Sequence, residues 1–123
     1  KEDNESTLLS RSLVEGAADF VTKMTVGRVA TQDYIYNYGD KHEKELWVLF
    51  KKDMLTKHFS DWYQSDGGTG AVPDLGYFMG YKICEAYYKN AKNKSAAFKD
   101  IVEMRKDADT FLKVSKYEEK FKN

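Results

Sequence analysis

The sequence predicts a mainly α-helical protein of about five helices packed as an irregular bundle. Three observations support this fold class. Proline occurs once, at Pro73, so little interrupts helix formation. Alanine, leucine, lysine and glutamate, which favour helices, are frequent. Apolar residues recur at helical spacing over most of the chain. The 123 residues suit one domain, and we expect residues 1–123 to form a single helical domain.

Composition argues against several classes of function. The chain carries 20 basic and 20 acidic residues, so it lacks the positive charge expected of a nucleic-acid-binding domain. No apolar run approaches the roughly 20 residues that span a bilayer. We therefore expect no nucleic-acid partner and no transmembrane segment. The chain starts at Lys1 rather than at a methionine, which we interpret as processing or truncation of a longer protein.

The first predicted helix covers residues 6–24. Ser6 or Thr7 is its candidate N-cap, and Gly27 follows it as a terminator. Its apolar face comprises Leu9, Leu13, Ala17, Phe20, Val21 and Met24. The following segment, residues 26–38, is rich in β-branched and aromatic residues. A short strand and a loop are equally compatible with that pattern.

The middle of the chain predicts two helices separated by a loop. Residues 41–59 form the second helix, with a buried stripe of Leu46, Leu49, Phe50 and Met54. Residues 60–72 are rich in Gly and Asp, which predicts a loop. Pro73 favours the start of a third helix over residues 74–90. Its inward-facing residues are Leu75, Phe78, Met79, Ile83 and Tyr87.

Two glycines of the third helix, Gly76 and Gly80, lie four residues apart and therefore share one face. Each lowers helix stability by up to about 1 kcal/mol relative to alanine. We expect close approach of a neighbouring helix to compensate for this loss, because glycine has no side chain to separate two backbones.

The C-terminal part predicts two short helices and a frayed tail. Ser95 is the candidate N-cap of a helix over residues 95–106, in which Phe98, Ile101 and Val102 face inward. Residues 107–114 predict a final helix that packs Phe111 and Leu112. The tail, residues 116–123, is highly charged, and we expect it to fray.

The histidines and the cysteine do not form a recognisable catalytic motif. A zinc peptidase of the HExxH type needs two histidines one helical turn apart, with a glutamate as general base. His42 is followed by Glu43, but the fifth position of that string is Leu46, which cannot ligate a metal. We interpret His42 as a surface residue at a helix start and His58 as a residue near a helix end. Cys84 is interpreted as a buried apolar residue.

The string EGAAD, residues 15–19, places two acids one helical turn apart on one face. The spacing favours a solvated charge ladder, in which Arg11 pairs with Glu15 and Lys23 pairs with Asp19. The three small residues between the acids instead indicate tight packing on more than one face of the helix. A helix buried on two faces needs a second layer of structure, so the spacing alone leaves both interpretations open.

The longer string VEGAADFVTK, residues 14–23, resembles the third-ligand helix of the gluzincin metallopeptidases. In that group a glutamate completes the zinc site, and an aspartate four residues later hydrogen-bonds a zinc-bound histidine. The resemblance implies that Glu15 is a metal ligand and that Asp19 orients such a histidine.

Further strings extend a resemblance over residues 8–117: ELWVLFKKDM, DWYQ, PDLGYFMGYKICEAYY and FLKVSKY. Together they resemble the C-terminal half of the predicted Zn-dependent protease family DUF2268, which is related to gliding-motility lipoproteins of the GldB type. The resemblance implies a helical subdomain of the gluzincin type that forms the C-terminal portion of a larger protein. It also implies zinc in the full-length parent, a peptide substrate, and the missing N-terminal part as partner. The compartment it implies is the bacterial cell envelope or periplasm.

The same resemblance implies a role for a tyrosine of the third predicted helix. Tyr77 and Tyr81 lie four apart, and we choose Tyr81 as the residue that stabilises a developing oxyanion. Glu85 follows one turn later, either as its hydrogen-bond partner or as a surface residue. Because no HExxH string is present, the chain offers at most one carboxylate ligand, and we expect it to be inactive alone. The alternative is a non-catalytic structural or binding module of the cell envelope.

Overall fold

The computed structural model describes residues 7–28, 33–63 and 74–122. These residues form helices α1 (Leu8–Val26), α2 (Asp33–Lys41), α3 (Glu43–Asp53), α4 (Ser60–Tyr63), α5 (Leu75–Asn90), α6 (Lys94–Glu103) and α7 (Ala108–Ser115), followed by a 3₁₀ helix (Tyr117–Phe121). The described ranges contain no strand. The predicted fold class, a mainly α-helical irregular bundle, is confirmed.

Helix α5 is the centre of the bundle. It makes the most extensive helix–helix contact with α1, and it also packs against every other helix and the 3₁₀ helix. The five residues predicted to face inward from α5 are all 5% exposed or less. Cys84 is fully buried beside them, as predicted, and burial raises the pKa of its thiol.

The helix ends follow capping chemistry that the sequence shows in part. The hydroxyl oxygen of Thr7 accepts from the Ser10 amide at 3.1 Å, and Gly27 ends α1 with a left-handed φ of 99°. Thr7 is one of the two predicted N-cap candidates, and the role of Gly27 was predicted. The N-cap of α6 is Asn93 rather than Ser95, because the Asn93 side chain accepts from the Ala96 amide at 2.9 Å. Val102 is 53% exposed, so its predicted inward orientation is wrong.

The segment after α1 differs from its prediction. Residues 33–38 belong to α2, so neither a strand nor a loop is correct there; residues 29–32 lie outside the described ranges. Helix α2 buries Ile35 and Gly39, and the ring of Phe78 in α5 lies directly on Gly39. Tertiary packing on α5 therefore supports a helix whose local sequence has high β-propensity.

The predicted extent of the second helix, residues 41–59, is also wrong. It divides at His42 into α2 and α3, and α3 ends at Asp53. The amides of Leu8 and Leu9 donate to the carbonyls of Thr56 and Met54 at 2.8 and 2.7 Å. The first backbone amides of a helix have no acceptor within that helix, so the carbonyls of residues 54 and 56 serve as acceptors for α1.

The buried stripe of α3 is rotated from its prediction. Trp47 is 3% exposed, whereas Leu49 is 44% exposed. The predicted loop over residues 60–72 begins instead with the short helix α4, which buries Trp62 edge-on against Phe50 at 5.1 Å. Residues 64–73, including Pro73, lie outside the described ranges.

The C-terminal tail is packed rather than frayed. Tyr117 is 1% exposed, its ring lies 5.2 Å from Trp47, and its hydroxyl donates to Glu43 at 2.6 Å. Lys120 donates to the same Glu43 carboxylate at 2.8 Å. These contacts hold the 3₁₀ helix on α3. Among the described helices, none is both long and apolar enough to cross a bilayer.

Buried tyrosines make stability sensitive to alkaline pH. Burial, followed by the bond to Glu43, raises the pKa of Tyr117; burial and Asp100 do the same for Tyr87. Unfolded tyrosines ionise near pH 10. Above that pH the unfolded state binds fewer protons, so stability falls as pH rises, for Tyr117 by about 1.4 kcal/mol per pH unit.

We therefore expect the free energy of unfolding from urea titrations to decline above about pH 10, with tyrosinate absorbance from these buried residues appearing only on unfolding. Ionisation of all nine tyrosines while the helical circular dichroism stays native would contradict this prediction.

Candidate active-site face

The crossing of α1 and α5 positions the candidate residues. A Cβ atom added to Gly80 would overlap the backbone carbonyl of Ser12, and one added to Gly16 would overlap the backbone of Gly80. The two backbones therefore touch, as expected for Gly80, and a side chain at either position would separate the helices. Gly76 is covered by the ring of Tyr63 in α4.

Helix α1 is buried on two faces. Leu9 and Leu13 lie in the core as predicted, and Ser12 and Asp19, on the flank of this apolar stripe, are also at most 3% exposed. Tyr36 of α2 bonds Asp19, and the backbone of α5 at Gly80 lies against Ser12, so residues of the same chain cover this part of α1. A solvated ladder is therefore the wrong description of Asp19, although the predicted pair of Arg11 and Glu15 is present at 3.9 Å.

Glu15 lies half-buried between charged and aromatic neighbours. Its side chain is 32% exposed, and it shares a hydrogen bond with Tyr77 of α5. Burial, followed by the charge of Glu15, raises the pKa of Tyr77. Arg11 extends over the ring of Tyr63 at 4.4 Å. Glu15 also lines a cavity of about 440 Å³ between α1 and the connection from α6 to α7. This carboxylate is thus anchored but accessible.

Asp19 is held by Tyr36, a residue of α2. The Tyr36 hydroxyl donates to Asp19 Oδ2 at 2.7 Å, and Asp19 is 3% exposed. Burial, followed by this bond, raises the pKa of Tyr36, so its hydroxyl remains a proton donor throughout the physiological range. Sequence analysis missed Tyr36 because its segment was not assigned to a helix. The tyrosines of the string YIYNY, residues 34–38, are the signal that the sequence offers.

Tyr81 lies one turn beyond Tyr77, beside Asp19 rather than Glu15. It is 8% exposed, and its ring packs 5.1 Å from Tyr36 and 5.7 Å from Phe20. Tyr81 borders a polar cavity of about 270 Å³ that Lys82 and Glu85 also line. Glu85 pairs with Lys82 at 3.1 Å. We use the name acid–tyrosine face for two acids of α1 and three tyrosines of α2 and α5: Glu15, Asp19, Tyr36, Tyr77 and Tyr81.

The histidines lie apart from this face. His42 is at the N-cap of α3, as predicted, and its Nδ1 lies 3.0 Å from Glu45. His58 is 71% exposed in its side chain and lies 3.8 Å from Asp53. Each imidazole therefore has a local acidic neighbour on its own segment of the chain.

Comparison with known proteins identifies the family. A family model described as predicted Zn-dependent protease (DUF2268) matches residues 1–113. The chain belongs to the DUF2268 family. No significant match is found among curated proteins or solved structures.

The DUF2268 description implies zinc dependence in the family, so the residues present can be tested against a zinc site. Protein zinc sites need three or more ligands, drawn from His, Cys, Asp and Glu. Within residues 7–28, 33–63 and 74–122, no three such side chains are grouped to hold a metal. The described part of this DUF2268 chain therefore does not fit a zinc ion on its own.

The bond between Tyr36 and Asp19 has a measurable effect on stability. We expect Tyr36→Phe to destabilise the DUF2268 chain by about 2 kcal/mol, because a buried carboxylate loses a charge-assisted hydrogen bond while the ring packing is kept. Tyr34→Phe on the same helix is the matched control, since Tyr34 is 50% exposed and should tolerate the change. Equal urea midpoints for the two variants would contradict this prediction.

Proposed function

We propose that this DUF2268 chain is the carboxylate-bearing part of a zinc-dependent peptidase, with Glu15 as a zinc ligand. The histidine ligands come from outside its 123 residues, because His42 and His58 do not form a ligand pair. The observation that carries the proposal is the arrangement of Glu15 and Asp19 on α1. Glu15 borders a cavity, and Asp19, one turn later, is locked by Tyr36.

The fixed position of Asp19 suits a residue that orients a histidine. Carboxylates that hydrogen-bond a metal-ligating imidazole fix its tautomer and ring orientation. The bond from Tyr36 holds the Asp19 carboxylate in place, which supports such a role. Glu15, with its partly exposed carboxylate, is the better candidate for direct ligation.

Two tyrosines are candidates for stabilising a developing oxyanion. Tyr81 remains our proposal from the family resemblance, and its position beside Asp19 and a polar cavity supports it. Tyr77 is the alternative, because it contacts Glu15 itself. A phenylalanine substitution at each position in the active parent separates them: the residue that stabilises the oxyanion lowers kcat with little change in KM.

The wider proposal follows from the family. We propose that residues 1–123 are the C-terminal portion of a larger gluzincin-type protein that acts on peptides. Its relationship to GldB-type lipoproteins and its location in the bacterial cell envelope or periplasm belong to the same proposal. The family description as a predicted Zn-dependent protease supports the peptidase part.

A non-catalytic role is the second candidate, and one observation favours it. Glu15 already has partners within the chain, Arg11 and Tyr77, which suffice to explain its burial. In this case the chain is a structural or binding module of the cell envelope. Its coding sequence then has no HExxH string upstream, and Glu15 contributes only to stability.

The deciding experiment is metal titration of the full-length parent. We expect Glu15→Gln to weaken zinc binding by about tenfold or more, as loss of a ligand or its support typically does. Glu103→Gln is the matched control, because Glu103 is similarly exposed and also pairs with an arginine. If zinc affinity is the same in both variants, or no HExxH string precedes Lys1, the ligand assignment is wrong. The 123-residue chain alone should show no chelator-sensitive peptide cleavage.

A further inference from the structure

We propose that the groove between α3 and the C-terminal 3₁₀ helix docks an acidic peptide segment of a partner protein. This lysine groove has a volume of about 440 Å³. It is lined by Trp47, Val48, Phe121, Glu118 and four lysines, Lys44, Lys51, Lys52 and Lys122. A groove of this size accommodates one or two inserted side chains.

The charges around the groove are not balanced. Lys51 pairs with Glu118. Within the described ranges, Lys44, Lys52 and Lys122 form no ion pair. The neighbouring acid Glu43 is bonded to Tyr117 and Lys120. The groove lining therefore carries four lysines against one glutamate, and this excess of positive charge attracts carboxylates and repels cations.

The groove also offers apolar surface. Val48, which lines the groove, is 51% exposed, and the side chain of Phe121 lines it from the 3₁₀ helix. A site for a simple anion would not need such contacts. Apolar contact flanked by lysines fits a segment in which apolar and acidic residues lie side by side.

A peptide fits the groove better than a membrane surface. Helices that bind membranes insert exposed aromatic and aliphatic side chains from a convex face. Trp47 is 3% exposed here and packs edge-on against Tyr117 at 5.2 Å, so it is not available for insertion. The surface is a recess, which receives side chains from a partner.

The groove is independent of the acid–tyrosine face. It is built from α3 and from residues 118–122, and the latter lie beyond the residues matched by the DUF2268 family. Failure of the peptidase proposal would leave this inference unaffected.

Fluorescence anisotropy with a short labelled peptide of alternating glutamate and leucine tests the inference. We expect the wild type to bind the peptide with an affinity that falls as salt is added. The double variant Lys44→Glu/Lys52→Glu should bind with an affinity at least about tenfold lower. The matched control is Lys92→Glu/Lys99→Glu, which changes the same charge at two exposed lysines outside the groove. The control should bind as the wild type does.

A second variant tests the apolar part of the groove. Val48→Glu places a carboxylate in the groove without disturbing the core, and it should also abolish binding. Circular dichroism melts check that each variant is folded. No binding by the wild type, or equal losses in the groove and control variants, would overturn the proposal. Binding to phosphatidylserine vesicles without binding to the peptide would overturn it in favour of a membrane surface.

Discussion

Replacing Gly80 with alanine is expected to destabilise the protein by about 3 kcal/mol, although alanine is the better helix former. An added Cβ atom would overlap the carbonyl of Ser12 in α1, and backbone cannot rotate away as a flexible side chain can. The helices must then separate along the most extensive helix–helix contact of the described residues. Urea denaturation of Gly80→Ala against wild type measures the effect.

The sign of the change in unfolding free energy caused by Gly80→Ala tests the contact between α1 and α5. Without contact between α1 and α5, Gly80→Ala would stabilise the chain by about 1 kcal/mol through helix propensity alone. Ala18→Gly is a useful control, because Ala18 is exposed on α1 and its substitution reports propensity without packing. A stabilised Gly80→Ala variant would show that the two backbones do not touch.

The second large effect is expected at Tyr117. Tyr117→Ala should destabilise the protein by about 4 kcal/mol, because a fully buried aromatic ring is removed from Trp47 and the bond to Glu43 is lost. Tyr117→Phe keeps the ring and should lose about 1–2 kcal/mol, the contribution of the bond to a charged acceptor. Chemical denaturation of both variants gives the two values.

Tyr34→Ala provides the control for removing a tyrosine from the surface, since Tyr34 is 50% exposed. The charged tail by itself predicts fraying, and a frayed tail predicts no effect of Tyr117→Ala. If the denaturation midpoint of Tyr117→Ala equals that of the wild type, the result supports a frayed tail and contradicts a packed 3₁₀ helix.

Most of the helices could be predicted because their signals are local. Helix α5 carries apolar residues at helical spacing, and the five core residues predicted for it are buried. The limits of α1 follow from Thr7 and Gly27, whose capping roles depend on neighbouring backbone only. The close approach at Gly80 was inferred because glycine in a helix needs a compensating contact.

Part of the candidate site could be predicted from the sequence. The spacing of Glu15 and Asp19 predicts a shared helix face, but periodicity does not distinguish a solvated acid from one at 3% exposure. That distinction depends on Tyr36, which is 17 residues away and belongs to a segment that the sequence did not assign to a helix. The assignment of Glu15 and Tyr81 to zinc chemistry stays a prediction.

The helical class, helix α5, the Gly27 terminus of α1 and the pair of acids on one helix turn can be derived from the sequence alone. These features depend on residues within a few positions of each other. The helical state of residues 33–41, the end of α3 at Asp53 and the packing of the tail depend on tertiary contacts. In each case the deciding contact comes from a distant element. The ring of Phe78 packs on Gly39 of α2, and the ring of Trp47 packs on Tyr117. The first amides of α1 donate to the carbonyls of Met54 and Thr56. Such long-range contacts override local propensity because burial and satisfied backbone hydrogen bonds contribute more than propensity does.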